Sequence, residues 1–421
     1  MIDASAGFLK DGPNNRLRAM DIHKIVDVFN KRLELPKYAR MVGFEEIEKH
    51  EFNLNLPRYI DSQQPEDIQD IEGYLRGGIP TADVDAVQHY WAVCPQLRRT
   101  LFKNNRPGYV DLAVEKPGIK PVIYQHPEFV AFIHGMDALF AKWRKRAAAT
   151  LKALKAGCHP KQVIVDLSED LLAHYTGKQL IDKYDVYQHL MDYWAETMQD
   201  DCYMIAADGW KAATYRVLVT DNKGKEVDKG WTCDLVPKSL IVARYFAKEQ
   251  VAITNLEGEV ESVTAQMTDM EEEHGGDEGA FAELDKVNKA NVAVRLKEIK
   301  NDRDAKEEAD MLHAWLTLSN REAELKRKLK TAEANLDANA YAKYPTLTEA
   351  EIQTLVVDDK WLAALDAAIH GEMDRISHAL TQCVNELAER YETPLPQQAT
   401  RVAGLEQSVN RHLEEMGFSW N

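Results

Sequence analysis

Between residues 246 and 270 apolar side chains recur with the period of a helical seam. Phe246, Ile253, Val260 and Met267 stand seven residues apart, and Leu256, Val263 and Met270 follow the last three of them by three positions. Alternating four- and three-residue spacing keeps one stripe on one helix face, as in a coiled coil. The positions between carry Glu257, Glu259, Glu261, Glu271 and Glu272, and His274-Gly275-Gly276-Asp277 breaks the helix. A second helical stretch, Phe281 to Leu336, carries Leu284, Val287, Leu312, Leu316, Leu325 and Leu329 with less regular spacing. An apolar stripe has to be covered. The simplest arrangement is an antiparallel hairpin over 238–340 whose arms cover each other; the alternative is a long helix packed on a globular domain.

Elsewhere the pattern is mostly helical. The first eight residues, Met1 to Phe8, predict a short strand entering a Gly/Pro/Asn loop, with a helix over Asp21–Phe29 after it. Asp61 to Asp67 predicts a linker and a helix start, with carboxylates near the positive helix end. Ile68, Ile71 and Leu75 continue that helix until Gly77-Gly78-Ile79-Pro80 stops it. Thr81 then caps a helix bearing Val84, Val87, Tyr90 and Trp91. Phe129, Phe132, Ile133, Met136, Leu139 and Phe140 mark another helix, and Tyr184 to Trp194 an aromatic one. Tyr215–Thr220 and Trp231–Leu235 predict a strand pair around Asp221-Asn222-Lys223-Gly224. Thr348 and Glu351 form a capping-box pair, and Val357 to Trp361 predicts a new helix through Leu365, Ile369, Met373 and Ile376. Pro394-Leu395-Pro396 reads as a rigid linker before a last helix with Val402, Leu405, Val409, Leu413 and Met416 on one face. That face either packs on a partner or folds back on Trp361 and Leu365.

At 421 residues the chain is long enough for two or three domains, and 45% hydrophobic with 29% charged residues is ordinary for a soluble globular protein. No apolar run spans a membrane. Five scattered cysteines (Cys94, Cys158, Cys202, Cys233, Cys383) without a CxxC pair predict a reduced cytoplasmic protein with inert thiols. The eight tryptophans read as core anchors. The net charge of −17 predicts that most of the surface faces solvent or protein, so that any affinity for DNA comes mainly from another subunit. The histidines do not cluster, no Walker, G-x-S-x-G or HExxH pattern occurs, and Asp358-Asp359 suits a helix start better than a metal. No catalytic, cofactor or metal residue is named.

The N-terminal series Met1 to Phe8, Asn14-Asn15-Arg16-Leu17-Arg18, the Asp21–Phe29 helix, Tyr38-Ala39-Arg40-Met41 and Asn53 to Ile60 resembles the end of the methyltransferase domain in the M (modification) subunit of type I restriction–modification systems. The resemblance continues piecemeal, most specifically at 184–210, 231–276 and 341–370. It implies a family that methylates adenine with S-adenosylmethionine and assembles with a specificity (S) subunit and a restriction (R) subunit. The family's donor-site turn (DPxxGxGG) and target-base loop (NPPY or NPPF) have no counterpart: among 21 glycines no two stand as G-x-G, and no two prolines are adjacent.

The expectation is therefore the C-terminal part of such a subunit, from an internal start, a truncated or split gene or an engineered truncation, which by itself binds no cofactor and transfers no methyl group. The fold class expected is mainly α with a small β component. Its parts are the truncated end of an α/β methyltransferase domain (1–60), a mixed, mostly helical middle domain (61–237), a coiled-coil hairpin (238–340) and a C-terminal helical segment (341–421). Arg16, Arg18 and Lys24 are candidate phosphate contacts, or else anchors of their own loop. The terminal helix is a candidate surface for the S subunit, with DNA reached through the complex. A non-enzymatic coiled-coil scaffold and one half of a split methyltransferase remain as alternatives.

Overall fold

The computed structural model describes residues 1–61, 70–220, 224, 226–276, 279–302 and 305–418. The expected linker beyond Asp61, with Ile68, the turn residues Asp221 to Lys223, and Asp277 lie outside the described residues. Among the described residues the fold is mainly helical with three small antiparallel sheets. It forms two compact units, one of residues 1–207 with 361–421 and one of residues 208–360. These units are drawn differently from the four sequence segments, because the C-terminal helices pack back onto the N-terminal half.

In the first unit, strands Leu9–Asp11 and Asn14–Arg16 pair antiparallel. Met1 to Phe8 is not the strand, as its apolar ends suggested. Only Ile2 bridges, to Ala39. The reversal sits at Gly12-Pro13, where Gly12 has φ +60°, a conformation open to glycine. So the expected Asn14–Arg18 loop is largely a strand. The helix Ala19–Lys31 follows.

Further on, the helix Ile71–Arg76 leaves Ile71 and Leu75 exposed. The single helix expected after Thr81 is two, Thr81–Asp85 and Gln88–Val93, and Pro80 rather than Thr81 holds the cap position. The Trp91 indole donates to the Val84 carbonyl at 2.7 Å, a contact seven residues back that a straight helix cannot make. A three-stranded sheet, in the order Ile79–Pro80, Tyr109–Leu112, Phe102–Arg106, has no counterpart in the sequence reading. Its strands are short and partly polar, so no two-residue alternation marks them.

The core lies among the helices Pro127–Lys152, Pro160–Tyr175, Lys183–Tyr193 and Leu362–Tyr391. Phe129, Phe132, Phe140 and Trp143 are buried from the first of these, and Leu365, Ile369, Met373, Ile376, Leu380 and Val384 from the last. No new helix begins at Val357. A π-helical turn, Thr354–Trp361, runs directly into Leu362–Tyr391, so Asp358 and Asp359 are mid-helix. Pro394 caps and Pro396 opens the terminal helix Leu395–Glu415, where a missing N–H costs nothing; the expected linker is its first turn.

One buried carboxylate organises this core. Glu372, 4% exposed, takes the Arg375 guanidinium at 2.5 and 2.9 Å and lies 3.7 Å from His189 Nε2. Burial opposes its charge, but His189 and Arg375 outweigh that and hold the carboxyl down at about 2. Neighbouring Asp185 is pushed up by burial and by Glu372. A depressed carboxyl stabilises the fold above its unfolded value of 4.5 and loses that contribution as pH falls toward about 2. The stability gap between wild type and Glu372→Gln in denaturant titrations should therefore close between those two pH values. A gap independent of pH would contradict the pairing.

In the second unit, Tyr215–Thr220 pairs with Glu226–Thr232. The second strand starts earlier than the expected Trp231–Leu235, at residues whose exposed, charged side chains hide it. The helices Ala247–Glu273 and Lys306–Lys343 run antiparallel along each other. Glu259 meets Arg321 at 3.0 Å, while Glu271 accepts from the Trp315 indole at 2.7 Å. Ile253 is buried and Phe246, Leu256, Val260, Val263, Met267 and Met270 are half-buried, whereas Val251 on the far side is exposed. The second arm is not continuous from Phe281. It comprises Lys289–Glu298, a tight turn Ile299–Asn301 and then Lys306–Lys343. Phe281, Val292, Ile299, Leu312 and Trp315 form a small core there, covered by Met267 and Met270. Folding back to fill this core is what interrupts the arm.

Candidate functional site

The helix Ala19–Lys31 presents two apolar faces. One is covered: Met20 packs with Leu172, Tyr184 and Tyr187, and the Met20 backbone N–H donates to Gln188 Oε1 at 2.9 Å. Asp27 anchors this face. It accepts from Lys31 at 2.7 Å, from the Tyr184 hydroxyl at 3.1 Å and from Lys183 at 3.5 Å. Burial opposes the charge of Asp27, but these donors outweigh it and hold the carboxyl below its ordinary value. The Tyr184 hydroxyl is pushed up by burial and by Asp27. With both oxygens engaged, Asp27 is a structural pin and not a general base.

The other face is bare. Ile22, Val26 and Phe29 follow helical spacing and are 51%, 49% and 75% exposed. Met41, Phe44, Phe52 and Leu54 from the same segment are exposed as well. Such a density of exposed apolar side chains in one short segment marks an interaction surface.

Of the three candidate phosphate contacts, two are engaged by their own fold. Arg18 grips Asp21 through Nε at 2.9 Å and Nη2 at 3.0 Å. Burial works against Asp21, yet the Arg18 side chain and backbone outweigh it and lower the carboxyl. Lys24 Nζ sits 4.6 Å from the Tyr38 ring centroid, a cation–π contact. Arg16 is open: among the described residues it pairs with Asp11 alone, at 3.9 Å with both side chains over 60% exposed, a weak association.

The terminal helix Leu395–Glu415 has no buried residue. Val402, Leu405, Val409 and Met416 are 53%, 58%, 55% and 71% exposed, and Leu413 is half-buried. Trp361 and Leu365 are covered by the core instead.

A nucleotide-type cofactor turn follows a strand and lets a ligand approach its glycines. The paired glycines here do otherwise. Gly77 and Gly78 follow a helix, Arg106 donates to the Gly77 carbonyl at 2.5 Å, and a Cβ on Gly78 would stand 3.0 Å from Asn105 Nδ2. Coming after a helix rather than a strand, this turn lacks the order of such a cofactor turn. Burial pushes the Cys94 thiol up to about 11 and the Cys202 thiol to about 12, which removes them as nucleophiles. Among the described residues no group of three His, Cys, Asp or Glu is placed to hold a metal ion, and no helix is long and apolar enough to cross a membrane. Six tryptophans (91, 143, 194, 210, 315 and 361) are buried, as core anchors.

Sequence reading missed the Asp27 pin, whose partners Lys183 and Tyr184 lie some 156 residues away with no local signal. It also missed a run with a clear one: from Ala138 to Val165 there are seven Lys and Arg and not one Asp or Glu. The overall negative charge hides it.

Residues 1–68 match the family model described as N-6 DNA Methylase. The chain is also similar to the type I restriction enzyme MpnII methylase subunit of Mycoplasma pneumoniae, with 34% identity over 71 residues. That stretch covers 17% of this chain and 13% of the relative's length. No solved structure matches the chain. Both likenesses are to N-6 DNA methylases, and the family-model match is confined to the N-terminal stretch.

Proposed function

We propose that this chain is the C-terminal assembly portion of the M subunit of a type I restriction–modification system. It completes the edge of a methylase domain, docks on the S subunit and supports adenine methylation by a complex that also engages the R subunit and DNA. The observation that carries this reading is the bare Ile22–Val26–Phe29 face on a helix whose opposite side is pinned to the helical unit. A helix held on one side and apolar on the other bridges two bodies. The second body is the remainder of a methylase fold, supplied in cis or in trans, and it brings the donor and target-base loops. The terminal helix offers Val402, Leu405, Val409, Leu413 and Met416 to the helices of the S subunit. The Phe246–Met270 seam serves as a coiled-coil arm within its own unit. Of the basic candidates, Arg16 contacts phosphate, whereas Arg18 and Lys24 hold the loop that presents it.

Reconstitution tests the proposal. The chain is mixed with a methylase part bearing both loops, an S subunit and labelled S-adenosylmethionine, and adenine labelling in duplex DNA is read. The full mixture is expected to label, the chain alone is not, and Val26→Glu with Phe29→Glu should lower labelling more than about tenfold while the melting temperature holds. Labelling by the chain alone, or tight one-to-one binding of S-adenosylmethionine to it in calorimetry, would overturn the proposal. Labelling that proceeds equally well without the chain would favour an independent coiled-coil scaffold.

A further inference from the structure

The terminal helix Leu395–Glu415 runs for 21 residues, about 31 Å, and buries none of them. Its root is fixed. A Cβ on Gly77 would stand 3.2 Å from Pro394 Cγ, and Lys116 holds Glu392 at 2.7 Å just before the helix begins. Beyond that root every residue of the helix except Ser408 and Leu413 is exposed. Helices in proteins owe most of their stability to the packing of an apolar face, and Gly404 with two valines lowers the intrinsic propensity of this one. So bare a helix calls for a second helix against its stripe.

The stripe has the repeat of a two-stranded coil. Leu395, Val402, Val409 and Met416 stand seven residues apart, and Leu405 follows Val402 by three. Written as a heptad, the first four are a positions and Leu405 is a d position. Valine at a with leucine at d favours two parallel strands. Gln398 and His412 take the other d positions, and polar residues in a seam fix register at a cost in stability. The charges fit a second copy of this same helix. Arg401 falls at g and Glu406, five residues on, at e, the two positions that parallel strands join by interhelical ion pairs. Two-fold symmetry makes that pair twice, Arg401 of each copy meeting Glu406 of the other. Both side chains are exposed, and neither has an ion-pair partner among the described residues. An antiparallel pairing that stacks Leu405 on Val409 would instead set Glu406 against its own copy.

We propose that the helix Leu395–Glu415 pairs with the same helix of a second copy of this chain, as a parallel two-stranded coiled coil with Val402, Leu405 and Val409 at its centre. The pair goes beyond the assembly reading and needs nothing from the methylase likeness. Its stripe is the one offered above to the S subunit, so in the free chain a second copy covers that stripe and the S subunit has to displace it. A seam of three heptads with one apolar d position is weak enough to exchange.

Sedimentation equilibrium of the full chain alone, from about 1 to about 100 µM, tests this. A monomer–dimer equilibrium is expected, and Leu405→Glu/Val409→Glu should be monomeric throughout. Arg401→Glu and Glu406→Arg should each raise the dissociation constant roughly tenfold, since two symmetry-related pairs turn from attraction to repulsion. An equimolar mixture of these two variants should regain wild-type association, because the mixed pair restores both bridges. Melting temperatures should match wild type, as all four side chains are exposed. The proposal fails if the wild-type chain is monomeric at about 100 µM, if Leu405→Glu/Val409→Glu still dimerises, or if the mixture associates no better than its components. No S subunit, DNA or methyl donor enters the measurement. A monomeric chain that captures an S subunit sinks the self-pair alone, whereas a self-pairing chain that captures none sinks the docking reading alone.

Discussion

Replacing Trp361 with alanine is expected to destabilise the first unit by about 4 kcal/mol, within the range of about 3–5 kcal/mol for deleting a buried tryptophan or phenylalanine. Its indole is wholly buried, and Nε1 donates to Asp201 Oδ2 at 2.7 Å, with Asp201 only 3% exposed. Alanine removes the ring, leaves a cavity and takes a donor from a buried carboxylate, so two costs combine. For a unit of this size the melting temperature should fall by roughly 10 °C. Trp361→Phe separates the two costs, since it keeps most of the packing and loses only the donor; about 1–2 kcal/mol is expected. Denaturant unfolding followed by far-ultraviolet circular dichroism measures both. An alanine variant that unfolds within about 1 kcal/mol of wild type would mean that Trp361 is not at the centre of this core.

The second large effect concerns association. Leu405→Glu with Val409→Glu places two charges in the middle of the terminal helix's apolar stripe. Both side chains are more than half exposed, so the isolated chain should keep its stability within about 0.5 kcal/mol. Capture of an S subunit in a pull-down should instead fall by roughly a hundredfold, because charge at the centre of an apolar interface is not compensated there. Removing residues 397–421 should have the same effect. If either variant captures the S subunit as well as the wild-type chain does, the terminal helix is not the interface, and the bare Ile22–Val26–Phe29 face or the paired long helices must carry it.

Legibility followed the length over which a pattern repeats. The Phe246–Met270 stripe spans several turns; in the fold Ile253 is buried and the other six side chains are half-buried. The Thr348–Glu351 capping box is likewise present, since its logic is confined to one turn. Where a signal was short, neighbours decided. The turn at Gly12-Pro13 puts the strand at Leu9–Asp11 instead of Met1–Phe8, and the expected helix after Thr81 is broken where the Trp91 indole reaches back to the Val84 carbonyl. Val357 to Trp361 looks like a helix start because acids and an apolar run coincide. In the fold the same residues form a π-helical turn, which lets Trp361 reach Asp201.

By itself the sequence determined the mainly helical class, the principal amphipathic stripes and the likeness of its first 68 residues to the N-6 DNA methylases. Each is a property of spacing or residue type along the chain, readable without knowing what lies opposite. Only the tertiary structure decided which stripes are covered. It covered the seam of Ala247–Glu273 in part, with Ile253 buried and the rest half-buried, and left the terminal helix bare. It engaged Arg18 and Lys24 at home while Arg16 stayed open. The physical reason is that burial and charge pairing depend on groups far away in sequence. Amphipathicity states that a face wants a partner, and only packing shows whether it already has one.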